Sequence, residues 1–537
     1  MMKINEISIE YPFKAYSINE VSNEGSLPFT MKFKLPFNKQ QQQQPVQEAP
    51  KENLVRVAHA TDHFIQSIKN ATNHPADLII KSLPPNVTLI YIDNLIDDQT
   101  LNNDIIANLQ SKPHDTPEAI EMALSIAEVS QSSLLRETVE LMVNGHVVIH
   151  IGGFPQTILA NIASRESRAL SAPENESQVI GTQVGFNESL STNISLIRRY
   201  IVSPNLCNEK VKIGTRTSTS VSLLYMRGIA NDQMVQTMRQ RIKDLYIDEL
   251  IDSAVLAEMI DDNSLSVFPQ MLLTERPDRF CDGILDGKIG VLVDGSSMAI
   301  VSPQGFTEFF QSQEDQNLRW QIATFLRLLR LAAFFLSVYL TPFYVAALTF
   351  HYEVIPQAFL VPLSESRALV PFPPIFEALL LEFIIELLRE AGARLPTKIG
   401  QTIGIVGGIV IGTAAVQAGI TSNILLIIIA LSALASFTSP SYMMGNVIRL
   451  IRFPIIILAG FWGFYGIMLA FCFILIHLLR QSSLGAPYMS PFYPPRLKEM
   501  RDSIIRMPVP LTSKRPALTR PKDEHKFVPE PVKPDKS

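Results

Sequence analysis

Apolar and charged positions are segregated along this chain. Between Lys398 and Arg449 there is no Asp, Glu, Lys or Arg, and the same holds from Phe453 to Leu479. A helix that crosses a bilayer needs about 20 predominantly apolar residues, and these runs are long enough to supply such crossings. A further uncharged run covers Leu331 to Phe350, and Arg319, Arg327 and Arg330 stand before it. Residues 1 to about 318 carry charge throughout. The pattern predicts a multi-domain chain: a soluble α/β N-terminal region, then an all-α, multi-pass transmembrane domain over residues 319–480. Positive charge at the entry of the first span predicts a cytoplasmic N-terminal region.

Within the soluble part the pattern repeats. Leu89 to Gln99 (LIYIDNLIDDQ) lines up with Leu223 to Gln233 (LLYMRGIANDQ), and Asn144 to Gly153 (NGHVVIHIGG) with Asp286 to Gly295 (DGKIGVLVDG). In the first pair a strand-like run ends in a polar turn and a helical pattern follows. In the second an Asn-Gly or Asp-Gly turn precedes an alternating strand, which is a local hairpin signal. Two blocks in the same order at similar spacing predict a duplication, with α/β subdomains over residues 51–180 and 181–318. Gly185 to Ile201 opens the second half as a helix, with Leu190, Ile194 and Ile197 on one face and Arg198 and Arg199 in its last turn, where cations suit the helix dipole.

The membrane region is less uniform than its hydropathy. A Pro-punctuated stretch from Pro356 to Pro374 is unsuited to a plain spanning helix. In the segment that follows, Glu382, Glu386 and Glu390 share a face. An intramembrane carboxylate normally faces protein or water, so two readings fit: an amphipathic helix in the interface, or a spanning or re-entrant helix facing an aqueous vestibule. Gly400, Gly404, Gly408 and Gly412 stand four apart, a spacing that lets another backbone approach closely. Residues 424 to 446 form an apolar run interrupted by SFTSPSY, where Ser and Thr can satisfy backbone groups freed by Pro440. Phe453 to Leu479 reads as the last span, with Gly460, Gly463 and Gly466 inside it. Four spans return the C-terminus to the cytoplasmic side and leave the Glu-rich segment interfacial or re-entrant. Basic residues from Arg496 to Arg506 agree with that, while Arg394, Lys398, Arg449 and Arg452 cannot all be reconciled with one simple count.

Composition adds mostly exclusions. The net charge of -5 gives no nucleic-acid footprint. The three cysteines, Cys207, Cys281 and Cys472, have neither disulfide nor metal spacing. No secretory signal is expected at the start. Residues 1–50, with Gln40 to Gln44 between prolines, read as a disordered tail, and residues 481–537 as a basic tail, disordered from 513 onward. There is no GxxxxGK[ST], HExxH, GxSxG or Cys-x-x-Cys. An enzyme is not expected, nor a cofactor or metal.

The segments LLYMRGIAN, GFNESLSTNISLIRR, PFPPIFEALLLEFIIELLREAGARLPTKIGQ, ASFTSPSY, VIRLIRFP and LGAPYMSPF together resemble the A-subunit family of GerA-type spore germinant receptors. The resemblance covers about residues 60 to 507. It implies a protein of the spore inner membrane, working beside a transporter-like B subunit and a lipoprotein C subunit. It further implies a homo-oligomer among membrane lipid that conducts cations when germinant binds the B subunit. Candidate pore or vestibule residues are then Glu382, Glu386, Thr402, Val406, Val410, Thr413 and Gln417, with the glycine ladder as a packing face. One departure is Thr182, Gln183 and Val184, where the family often has Pro and charged residues. Alternatives are a sporulation-stage paralogue, like the stage V sporulation AF protein, and a secondary transporter component. Gene neighbourhood separates the first, and the scarcity of membrane repeats weighs against the second.

Overall fold

The computed structural model describes residues 55–527 except 85, 112–115, 165–171, 395–407, 409 and 411. These residues belong to one compact unit, Leu54–Ser537.

The first part runs α1 (Thr61–Thr72), β1 (Leu78–Leu83), β2 (Val87–Ile92), α2 (residues 98–111), α3 (Pro117–Ala123), β3 (Val129–Ser132), α4 (Leu135–Val143), β4 (His146–Ile151) and β5 (Thr157–Asn161). The five strands pair antiparallel in the order β1-β2-β4-β5-β3. Helices cover both faces. Leu89, Val147 and Ile149 meet Leu101 and Ile105 of α2, while Ile90, Val148 and Leu159 meet Phe64 of α1 and Met142 of α4. Every residue of β2 and β4 is therefore buried; this suits the apolar run of β2, while β4 lacks the exposure alternation expected of it.

The second part repeats that order: α5 (Leu190–Tyr200), β6 (Leu206–Ile213), β7 (Thr219–Met226), α6 (Asp232–Lys243), α7 (Ser253–Ile260), β8 (Leu272–Thr274), α8 (Pro277–Leu285), β9 (Ile289–Val293) and β10 (Ala299–Ser302). Its sheet order is β6-β7-β9-β10-β8, strand for strand that of the first. The sequence blocks that match each other fall on equivalent strands, β2 with β7 and β4 with β9. The Asn-Gly and Asp-Gly pairs do not make hairpins. They end α4 and α8, where Gly145 and Gly287 take φ of 90° and 88°, a left-handed turn from helix to strand that glycine adopts without steric cost. Periodicity on one side of a turn cannot tell a helix from a strand on the other.

The two halves meet across α5. Arg198, which the sequence places in the last turn of the helix for its dipole, is buried. Its Nε and Nη2 donate to the buried Asp77 carboxylate at 2.6 and 2.8 Å. Ser195 Oγ donates to the Asn94 carbonyl at 2.7 Å, and Arg199 reaches the Ser164 carbonyl at 2.9 Å.

Helices follow: α9 (Trp320–Thr349), α10 (Gln357–Arg367), α11 (Pro374–Arg394), α12 (Gly412–Gln417), α13 (Asn423–Ser436), α14 (Tyr442–Trp462) and α15 (Phe464–Arg480). Among the described residues α9 and α14 are long and apolar enough to cross a membrane, and α13 and α15 are shorter apolar helices. The expected boundaries shift. The run from Phe453 to Leu479 is broken at Gly463, whose φ of 60° ends α14 and starts α15, and Gly466 lies against the Leu458 backbone so that the two helices fold back on each other. The run from 424 to 446 is likewise two elements, because the Ser-Pro-Ser turn before Tyr442 caps a new helix through Ser441 Oγ.

The C-terminal segment also differs from expectation. After α15 a two-stranded ribbon, β11 (Ser482–Ser483) with β12 (Ala486–Pro487), returns to the second sheet. Tyr488 is fully buried among Phe306 and Phe309, and its hydroxyl donates to the Pro269 carbonyl at 2.7 Å. Leu518 and Thr519 are buried, and Lys526 pairs with Asp286. Residues 513–527 are thus held against the second half rather than a free tail, since one apolar anchor, Leu518, and a partnered cation offset part of the ordering entropy that composition alone leaves uncovered.

Candidate functional site

Along α9 the polar side chains Ser337, Thr341 and Tyr344 recur at i, i+4 and i+7 in an otherwise apolar run, so they share one face. That face is where the bundle closes. The first turns lie near the second sheet, where Arg330 Nη1 donates to the buried Asp315 at 2.7 Å and Phe334 packs on Phe306 and Phe310. The far end stacks His351 on Phe464, with ring centroids 4.8 Å apart.

Midway sits the main polar feature of the bundle. Arg452 of α14 and Glu382 of α11 are each 1 % exposed and form an ion pair at 2.7 Å. Thr341 Oγ1 donates to the other Glu382 oxygen at 3.0 Å, and Arg452 Nη2 donates to Ser337 Oγ at 2.7 Å. Ser432 Oγ of α13 donates to the Ser337 carbonyl at 2.9 Å. Four helices therefore converge on one charge pair. Two charges removed from water are tolerable only when paired and hydrogen-bonded in this way, and removing one partner typically costs about 3–5 kcal/mol.

A second carboxylate lies further along the same helix. Glu377 accepts from the Ser422 amide at 2.6 Å and from Thr421 Oγ1 at 3.1 Å, tying α11 to the cap of α13. Toward the sheet end, Arg389 donates to Glu386 at 2.9 Å and lies over the Phe437 ring at 4.7 Å. The three glutamates expected on one surface are divided: Glu382 is enclosed, Glu386 is half-buried beside Arg389, and Glu390 pairs with Arg394 in the open. Helix α11 is packed within the bundle, with Ala378 and Leu381 buried.

Of the remaining candidates, Gly400, Gly404, Thr402 and Val406 lie outside the described residues. A Cβ added at Gly412 would meet the Leu426 side chain at 3.5 Å, whereas one at Gly408 would meet nothing within 4 Å. Val410, Thr413 and Gln417 stand at i, i+3 and i+7, and all three are exposed. The sequence reading missed Arg452, Ser337, Thr341, Ser432 and Glu377. The one-sided spacing of hydroxyls in α9 was a usable signal, but the match of Arg452 to Glu382, 70 positions apart, had none. Among the described residues no cluster could hold a metal ion. Thr182, in the departing loop, accepts from Arg276 at 3.2 Å and donates to Asp278 at 2.7 Å, so it has a bonded place within the chain.

Two antiparallel sheets carrying a bundle of apolar helices around a buried ion pair define a class of architecture, and comparison assigns the family. Residues 66–518 match the profile described as Bacillus/Clostridium GerA spore germination protein, and the chain belongs to that family. It is 43% identical to spore germination protein GerQA of Bacillus cereus, over 86% of this chain and 92% of the relative. It is 36% identical to spore germination protein KA of Bacillus subtilis (strain 168), over 88% and 89%. Among solved structures it is similar to the N-terminal domain of the A subunit of the Bacillus megaterium spore germinant receptor GerK3, with TM-score 0.38 and 24% identity over 47% of this chain and 98% of that one.

Proposed function

We propose that this chain is the A subunit of a nutrient germinant receptor in the spore membrane. In this reading it works with a transporter-like B subunit and a lipoprotein C subunit, and copies of it form the cation path that opens on germinant binding. The role is non-enzymatic.

The observation that carries the channel reading is the face formed by Val410, Thr413 and Gln417. It puts two polar side chains on the open side of an apolar segment, while Gly412 and Ala415 turn inward. Such a face suits a water-filled path or a second copy of the chain. The path of the helices supports an even number of crossings. Helix α9 leaves from the second sheet, and α15 comes back to it, with His477 Nε2 at 2.8 Å from Ser266 Oγ and Ser483 Oγ donating to the Gln270 carbonyl. Both ends of the bundle thus lie on the side of the sheets, which the arginines before the first span make cytoplasmic. Of the glycine ladder, Gly412 serves as the packing position, beside Leu426, while Gly408 is exposed, and the enclosed Glu382 serves the bundle's closure rather than a vestibule.

Potassium release from spores, with and without individual nutrients, tests the reading. Deleting the gene abolishes the response to one nutrient class. Val410→Ala gives leak without nutrient, and Glu386→Gln slows release, at matched protein levels. Normal release in every variant makes the chain a coupling scaffold and not the conductor.

A further inference from the structure

The helix α16 (Leu497–Ile504) follows the buried Tyr488 and is held by its carbonyl side. Arg327 Nη1 donates to the Asp502 carbonyl at 2.7 Å, and Gln311 Nε2 to the Ser503 carbonyl at 3.3 Å. Thr324 Oγ1 reaches the Arg506 carbonyl at 3.4 Å, and Arg506 Nη2 donates to the Gln316 carbonyl at 2.9 Å. These contacts place α16 beside the first two turns of α9. The uncharged part of α9 begins only at Leu331, and about 20 residues from there at 1.5 Å each span a hydrocarbon core of about 30 Å. Thr324 and Arg327 therefore sit at headgroup depth, and α16 lies at that depth with them.

Its outer side is mixed in a way that water alone does not favour. Leu497 is 76% exposed and Ile505 40%. Between them Lys498 and Arg501 are exposed, and among the described residues neither has a carboxylate within ion-pair distance. Tyr493 is exposed just before the helix, and Trp320, Ile322 and Phe325 are exposed on the adjoining turns of α9. Apolar side chains beside unpaired cations, continuous with the lipid-facing side of a spanning helix, match an anionic bilayer surface.

We propose that α16 is a peripheral anchor that lies on the bilayer surface and binds anionic phospholipid headgroups through Lys498 and Arg501, with Leu497 and Ile505 entering the acyl boundary. The inference rests on the membrane reading above. It gives the returning C-terminal segment a second attachment, so that the second sheet is held against the membrane from both α9 and α16.

The test uses the full chain in liposomes of phosphatidylcholine alone or mixed with phosphatidylglycerol, each carrying a quencher-labelled lipid. Cys207 and Cys281 are buried and Cys472 is exposed on α15, so a fluorophore on Cys472 reports insertion of the bundle. A second sample, Cys472→Ser with Leu497→Cys, carries the fluorophore on α16. The expected result is quenching at Cys472 in both lipids, and quenching at position 497 that is stronger with phosphatidylglycerol. Lys498→Glu with Arg501→Glu removes that added quenching, and Lys498→Arg with Arg501→Lys keeps it. Quenching at Cys472 without quenching at 497, or quenching at 497 indifferent to lipid charge and to charge reversal, overturns the anchor and leaves the membrane reading intact. Shielding at 497 that arises only when B and C subunits are added overturns it in favour of a protein contact. Absence of quenching at Cys472 overturns both.

Discussion

The two five-stranded sheets share a strand order, yet they are attached to the molecule by different means. The cores of the first are built only from its own residues, between Val57 and Ile162. The second shares a core that runs from Leu190 and Phe280 through Phe306 and Phe309 into Val338, Ile448 and Ile455 of the helices and on to Tyr488. The first sheet is joined to the second by hydrogen bonds and by the buried Asp77–Arg198 pair. The same topology thus serves as a separable module in one place and as the foundation of the helical bundle in the other. The distinction is one of chemistry: an apolar core transmits displacement because close-packed side chains cannot yield, whereas a polar seam can open when its pairs are exchanged for water.

The largest test is Arg452→Ala. It leaves Glu382 buried and unpaired, at about 3–5 kcal/mol. If the helices and the second sheet form one unit, hydrogen exchange rises in α9, α11 and α14 and in β9 as well, while β4 keeps its protection. Exchange confined to the helices breaks the comparison. Glu382→Leu with Arg452→Leu should lose less than either single change, because no charge is then stranded. Next comes Asp77→Ala, which strands the slightly less enclosed Arg198, toward the lower end of the same range, about 3 kcal/mol. Here the expectation is reversed: proteolysis between residues 165 and 185 accelerates, and both sheets keep their own exchange protection.

Acid should act on the two sheets in opposite directions. His150 is fully buried on β4 against Phe64, with neither ring nitrogen hydrogen-bonded. Burial, with a small contribution from His59, pushes its pKa down to about 4. The unfolded chain then binds the proton more readily, so stability present above about pH 6.5 falls as pH drops toward 4, by about 3 kcal/mol in all. Asp261, after α7 on the second sheet, is pushed up to about 7, chiefly by burial and then by Asp262. There the folded chain binds the proton more readily, and stability rises as pH falls from about 7 toward 4. Exchange measured at matched intrinsic rates should show β4 weakening and β9 strengthening over that window, and His150→Phe should abolish the first effect alone. The smallest expected change is Thr182→Val. It removes two hydrogen bonds of the strap between the halves, for about 1 kcal/mol, and lowers the melting temperature slightly with both cores intact.

Much of this was legible in the residues. Charge segregation divides the chain near residue 318, because a long uncharged run is legible without knowing its neighbours. The repeated blocks fall on equivalent strands, because strand-forming runs and the turns beside them are local. The family could be recognised from ordered segments such as PFPPIFEALLLEFIIELLREAG. What local pattern did not carry was direction and pairing. Gly145 turns a helix into a strand, and Gly463 splits one apolar run into two antiparallel helices. In both cases the turn depends on what the following residues pack against. The sharpest case is Arg452, which by sequence counts as a membrane-edge cation. Only the approach of α11 and α9 supplies Glu382, Ser337 and Thr341 around it, and that approach decides whether its charge faces water or is enclosed. Tyr488 and Leu518 follow the same rule: a few apolar residues in a polar tail become ordered when a preformed surface is there to receive them, and that surface belongs to the tertiary structure.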